Sequence, residues 1–216
     1  MAESHKGGDE SWLARVYSAS DSAEVESTYN QWASAYDEDV ASFGYNNFIY
    51  AAGLLNRFSP PGDGEILDAG CGTGALGPHL AVLGYDALVG IDISRGMLAK
   101  ARDNGSYREL AVADLSQPLS FSDGRFRACV SFGVLTAGHA PPSSLDELLR
   151  VTRRGGHLVF SVSRPAMENS GFREKLAALD ASGAWASRFV SEPYKPMPRS
   201  LTEGDLTARA YVYEVC

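Results

Sequence analysis

No stretch of this sequence approaches the roughly 18 consecutive apolar residues that a membrane-crossing helix needs. The polar start, MAESHKGGDESW, lacks the apolar core of a secretory leader. Cysteine is scarce: Cys71, Cys129 and Cys216 lie far apart, are odd in number and match no C-x-x-C or Cys/His zinc spacing. The expectation is a chain without metal or disulfide staples in a reducing compartment, the cytoplasm by default with the nucleus left open. Positive charge is also short. Nineteen Lys and Arg face 27 Asp and Glu, a net charge of −8, which argues against a long nucleic-acid footprint. The one basic concentration, Arg150, Arg153 and Arg154, reads as last-turn residues facing a helix dipole. The four histidines, His5, His79, His139 and His157, make no metal set.

What is present is an ordinary globular composition, 44% hydrophobic and 21% charged over 216 residues. A chain of this size buries roughly 70% of its unfolded surface, so it needs no staple. Residues 1–20 are polar and Gly/Ser-rich and are expected to be loosely held; residues 21–216 read as a single domain. Asp21 and Glu24 have capping-box spacing, and Val25, Tyr29, Trp32, Tyr36 and Val40 then recur on one helical face. A second helix is expected over 46–58, ending at Ser59-Pro60-Pro61-Gly62.

From there strands and helices alternate. Strands are expected at EILDAG, DALVGID, YRELAVADL, FRACVSFG and HLVFSVS. Helices are expected over 75–83, over 95–102 behind Ser94, and over 145–153 behind an S-x-x-E box at Ser144 and Glu147, closing at Gly155-Gly156. A helix over 172–182 and strands near 185–190 and 209–215 complete the chain. This order implies right-handed βαβ crossovers, hence an α/β, Rossmann-like, mostly parallel seven-stranded sheet with helices on both faces and an antiparallel C-terminal strand pair.

In such a sheet a ligand sits at the carboxyl ends of the strands, so the first strand–helix turn is the place to look. That turn is ILDAGCGTGALG. Gly70, Gly72 and Gly74 give G-x-G-x-G after Asp68, while Gly72, Gly74 and Gly77 spell the dinucleotide fingerprint G-x-G-x-x-G. Asp92, ending the second strand, supplies a carboxylate for ribose hydroxyls in either case. Asp68 favours a ligand with an ammonium, because a pyrophosphate beside it would be repelled by about 1 kcal/mol or more. Asp114, ending the third strand, can accept from an adenine amino group. A nicotinamide enzyme would also be expected to need a second nucleotide-binding half after residue 216.

These motifs together resemble the class I S-adenosylmethionine-dependent methyltransferases. ILDAGCGTG, GIDIS and VADL match the first three motifs, FRACVSFGVL the fourth-strand motif, and LLRVTRRGGHLVFSVS the helix and strand after it. The runs WASAYDEDV, AGHAPP and YVYEV are similar to the methyltransferase-like subgroup of the Williams–Beuren chromosomal region, which implies no particular acceptor. The resemblance implies S-adenosyl-L-methionine as cofactor and S-adenosyl-L-homocysteine as product. Gly70, Gly72 and Gly74 would admit the amino-acid end, Asp68 would bind its ammonium through a water or a backbone group, and Asp92 would take the ribose. Ile93, Met97, Ala113, Asp114 and Leu115 would surround the adenine.

Ser131 and Val134, with Leu135 beside them, would wall the methyl donor. Residues 21–60 would form a helical lid over a core at 64–216, making Tyr29, Trp32 and Tyr36 candidate contacts as well as core residues. His139 could act as a general base, although a loop histidine beside Pro141-Pro142 is the simpler reading. No N-P-P-Y-like tetrad comes after the fourth strand, which disfavours adenine or glutamine-amide acceptors; a small molecule or a protein side chain is expected. Two other readings stay open: a nicotinamide-dependent oxidoreductase and a non-enzymatic S-adenosylmethionine-binding partner protein. Oligomeric state has no signature in the sequence.

Overall fold

The computed structural model describes residues 11–216; His5 and the first half of the segment expected to be loose lie outside the described residues. Within that segment Ser11–Tyr17 is nevertheless a helix, α1, because Leu13 and Val16 are buried. Helix α2, Ser22–Trp32, starts where Asp21 accepts from the Glu24 amide at 2.9 Å. Glu24 completes the reciprocal bond on Ser20 N rather than on the cap residue itself. The single long helix expected here is broken: the chain turns at 33–35 and resumes as α3, Tyr36–Ser42. Indole Nε1 of Trp32 donates to Asp39 across the break at 2.7 Å, so the aromatic stripe folds back on itself instead of running straight. Helix α4 comes next, Asn47–Phe58.

The alternating part begins with β1 (Ile66–Ala69), α5 (Leu76–Val82), β2 (Leu88–Asp92), α6 (Arg95–Asp103), β3 (Glu109–Val112) and β4 (Phe126–Leu135). Then come α7 (Ser144–Val151), β5 (Thr152–Ser163), α8 (Arg164–Asn169), α9 (Phe172–Ser182), β6 (Trp185–Val190) and β7 (Ala208–Val215). The seven strands form one sheet in the order β3-β2-β1-β4-β5-β7-β6. The first five run parallel, and β7 is antiparallel to both neighbours. β1 is buried at all four residues, Ile66, Leu67, Asp68 and Ala69, as expected of a central parallel strand covered on both faces. The antiparallel pair is sealed by aromatics: the Trp185 and Tyr213 rings stack 3.8 Å apart, with Phe160 of β5 alongside.

Two expectations around α7 are corrected. Ser144 is already inside the helix, and its hydroxyl donates to Pro141 O, so no capping box forms with Glu147. The Glu147 carboxylate instead accepts from Leu119 N and pairs with Arg150. The helix also stops at Val151, and residues 153–156 form a bulge in β5 rather than a helix end. Arg153 and Arg154 sit in that bulge. Arg150 pins the preceding loop through Asp123 and the carbonyls of Leu119 and Phe121. Among the described residues no helix is long and apolar enough to cross a membrane.

Candidate active site

The carboxyl ends of β1, β2 and β3 open into a cavity of about 440 Å³. It lies where the strand order reverses between β1 and β4, the usual ligand crevice of a doubly wound sheet, and its size suits a drug-sized molecule. The glycine turn forms one wall. Gly70, Gly72 and Gly74 have φ of +80°, +55° and +78°, a left-handed region that costs other residues about 1–2 kcal/mol each. Their side-chain space differs. A Cβ on Gly72 would meet nothing within 4 Å, so its backbone faces open cavity. One on Gly70 would lie 2.3 Å from Val134 Cγ2, and one on Gly74 would strike the Asn104 and Tyr107 side chains. Gly74 therefore permits the close approach of its own scaffold and does not line the cavity. Gly77 does the same against Ser106 and Tyr107.

Asp68, Asp92 and Asp114 all line the cavity, as do Gly70, Gly72, Ile93, Met97, Ala113, Leu115, Val134, Tyr29, Tyr36 and His139. Asp68 is buried, 4% exposed, and accepts from the Tyr107 hydroxyl at 2.7 Å. Burial raises its pKa to about 7, with the Tyr107 bond opposing and the Asp92 charge adding. Asp92 accepts from Gly72 N and Ser94 N, each at 2.9 Å, and so ties the glycine turn to the start of α6. Its pKa is also raised, again by burial first. Asp114 holds its own turn by accepting from Ser116 N at 2.7 Å.

Trp32 and Ser131 stand behind the wall. Ser131 is 1% exposed and spends its hydroxyl on Ala69 O at 2.9 Å. Trp32 is 1% exposed and packs between Trp12, Tyr29 and Tyr36. Leu135 faces a separate, smaller space. His139 is partly buried under α1 and α2, with its Nε2 2.8 Å from the Tyr29 hydroxyl, rather than on an outer loop surface.

Three functional groupings had no local signature. Tyr107 partners Asp68 from 39 residues away. Asn30, on the polar face of α2, accepts from Ser94 Oγ and Gly96 N at 2.9 and 2.8 Å, fastening α2 to the start of α6. Tyr45 and Asn47 of the cavity wall are hydrogen-bonded in a chain that continues to Tyr194. On the exposed face of α2 Asn30 reads as an ordinary solvated residue, and nothing local marks the others.

The electrostatics are one-sided. The carboxylates and imidazole that line it are Asp21, Asp68, Asp92, Asp114 and His139, and no Lys or Arg faces the cavity among the described residues. Such a wall suits a ligand with net positive charge and opposes a diphosphate. Among the described residues no group of His, Cys, Asp and Glu is arranged to hold a metal ion.

Residues 67–160 match a family described as a methyltransferase domain. Methyltransferase-like protein 27 of Homo sapiens is 35% identical over 195 residues, 86% of this chain and 79% of that one. Demethylmenaquinone methyltransferase of Beutenbergia cavernae is 34% identical over 150 residues, 68% of this chain but 61% of its own, so the chain spans less than two thirds of that relative. A TehB-like SAM-dependent methyltransferase from Corynebacterium glutamicum superposes with a TM-score of 0.62 at 22% identity, covering 88% of this chain and 99% of the other; at that identity the likeness is one of fold.

Proposed function

The chain belongs to the class I S-adenosylmethionine-dependent methyltransferases, and on that premise we propose how its cavity works. It is an enzyme that uses S-adenosyl-L-methionine as cofactor, releases S-adenosyl-L-homocysteine, and methylates a small-molecule or protein acceptor. The residues present fit that cofactor. A buried carboxylate, Asp68, has a phenol but no cation as partner among the described residues, and the Gly72 backbone is open to the cavity. When bound, the cofactor supplies a methyl group on a sulfonium, open to direct in-line SN2 displacement.

The observation that carries the assignment of roles is that the cavity's carboxylates, Asp21, Asp68, Asp92 and Asp114, face no Lys or Arg among the described residues. In our reading Asp68 takes the cofactor's ammonium, Gly70 and Gly72 admit its amino-acid end, and Asp92 takes the ribose hydroxyls. Asp114 accepts from the adenine amino group, and Ile93, Met97, Ala113 and Leu115 pack on the ring. Tyr29 and Tyr36 present aromatic faces to the cation, while Trp32 and Ser131 support the wall from behind. The protein then accelerates transfer mainly by positioning the acceptor in line and excluding water. Helices α1–α4 serve as a lid, fastened by Asn30. The runs WASAYDEDV, AGHAPP and YVYEV support a place near the methyltransferase-like subgroup of the Williams–Beuren region.

Hydrogen exchange with and without S-adenosylhomocysteine tests these roles. Added protection is expected at 70–74, 92–97, 113–116 and in α2. Protection confined elsewhere would contradict them.

A further inference from the structure

A second space of about 60 Å³ lies beside the main cavity, and Tyr29, Tyr36, Tyr45, Asn47, Gly133 and His139 line both. The chain makes it by a bulge. Ser131 of β4 faces Phe160 of β5, yet Leu135 faces Val162, so four steps of one strand span two of the other. Thr136 is thereby carried over the end of β5, where its hydroxyl donates to Ser163 Oγ at 2.8 Å. Leu135, Met197 and Leu206 supply apolar wall.

Two properties limit what can enter. No Asp, Glu, Lys or Arg lines this chamber among the described residues, so an ion entering it would lose its water without gaining a counter-charge. Its volume is also less than half of the about 150 Å³ in which a buried apolar cavity holds a benzene ring. A small, uncharged group is what remains.

The shared wall also carries a directed proton acceptor. His139 Nδ1 lies 3.1 Å from Ala137 O. A carbonyl can only accept, so Nδ1 bears the proton. Burial lowers the imidazole pKa, and the neutral ring then offers the Nε2 lone pair. The Tyr29 hydroxyl, 2.8 Å away, donates to it. Tyr29 is itself held protonated by burial, its pKa well above the ordinary value.

We propose that this chamber receives the reacting end of the methyl acceptor, that this end is a small neutral hydroxyl or amine and not a carboxylate, and that Tyr29 and His139 take its proton. The inference rests on the methyltransferase reading and names the acceptor class for the same site. For an acceptor R–OH, an oxygen lone pair forms the O–CH₃ bond while the electrons of the breaking C–S bond stay on sulfur. The phenol proton of Tyr29 passes to His139 Nε2, and the acceptor's proton replaces it. The positive charge of the sulfonium ends on the imidazolium.

Acetamide and acetate, equal in shape and different in charge, probe the chamber directly. Each is titrated into the ¹⁵N-labelled protein saturated with S-adenosylhomocysteine at pH 7.5. Acetamide is expected to shift the Thr136, Ser163 and His139 resonances saturably, at least tenfold more tightly than acetate. Filling the chamber with Ala208→Leu is expected to abolish that response while leaving cofactor affinity within twofold. Should that variant not fold, the comparison on the unaltered protein decides alone. In the same spectra His139 is expected as the Nδ1–H tautomer. Equal or tighter binding of acetate, no response to either probe, or an Nε2–H tautomer would overturn the proposal. Failure of the protein to bind S-adenosylmethionine would sink the methyltransferase reading instead.

Discussion

Lowering the pH from 8 to 5 should weaken binding of S-adenosylmethionine by close to 100-fold. In the empty site burial holds the Asp68 pKa at about 7, yet only the carboxylate form can pair with an ammonium. Above pH 7 the site is ready. Below it, each pH unit costs about 1.4 kcal/mol, the energy needed to remove the proton before pairing, and two units amount to about 2.7 kcal/mol. At pH 6 binding should release about 0.9 proton, which calorimetry in buffers of different ionisation enthalpy reads directly. Asp68→Asn should bind weakly with little pH dependence, separating this effect from protonation of Asp92 or His139. The same group works against the empty fold. Its folded pKa exceeds the ordinary 3.8, so the stability it allows is complete below about pH 4 and is lost as pH rises to 7, with a ceiling on the order of 4 kcal/mol. The empty protein should therefore melt at a lower temperature at pH 8 than at pH 5.5, and Asp68→Asn should remove that difference. An affinity that changes less than threefold between pH 8 and 5 would refute the pairing assigned to Asp68.

Asp92→Ala should weaken cofactor binding by about 1.5–3 kcal/mol, the loss expected for hydrogen bonds to a charged acceptor; unchanged affinity in the folded variant would remove its assigned role. Gly70→Ala should destabilise by about 1–3 kcal/mol or more, since φ is +80° and the new Cβ meets Val134 at 2.3 Å. Gly72→Ala, with nothing within 4 Å, should cost only about 1–2 kcal/mol, and urea denaturation would rank the two. Asn30→Ala removes both ties between α2 and α6; amide exchange in α2 should rise while the sheet stays protected, and unchanged exchange would mean that α2 is held elsewhere.

The succession of the seven strands, with α4 to α7 and α9, was legible because each βαβ unit carries its own periodicity and turn chemistry, whereas the short helices α1 and α8 were not expected. The three acids were legible for a related reason. Parallel strands put all their carboxyl ends on one edge, so Asp68, Asp92 and Asp114 converge whatever the packing details. Facing was harder to read. Side chains alternate along a strand, and one step exchanges cavity for interior. Ser131, taken as a wall residue, turns to Ala69 O, while Val134 within the bulge reaches the cavity. The stripe through Tyr29, Trp32 and Tyr36 was read as one helix because the turn at 33–35 keeps the same spacing. Contacts such as Tyr107 with Asp68, or Tyr29 with His139 across 110 residues, depend on tertiary packing alone and leave no local pattern.

The central claim is that the glycine turn and its acids hold a methyl donor rather than a dinucleotide. Calorimetric titration of the purified protein with S-adenosylmethionine, S-adenosylhomocysteine and NADH in parallel tests it most directly. The account predicts micromolar binding of the first two and none of NADH. Binding of NADH alone would contradict it and leave a buried, cation-free Asp68 beside a pyrophosphate without explanation.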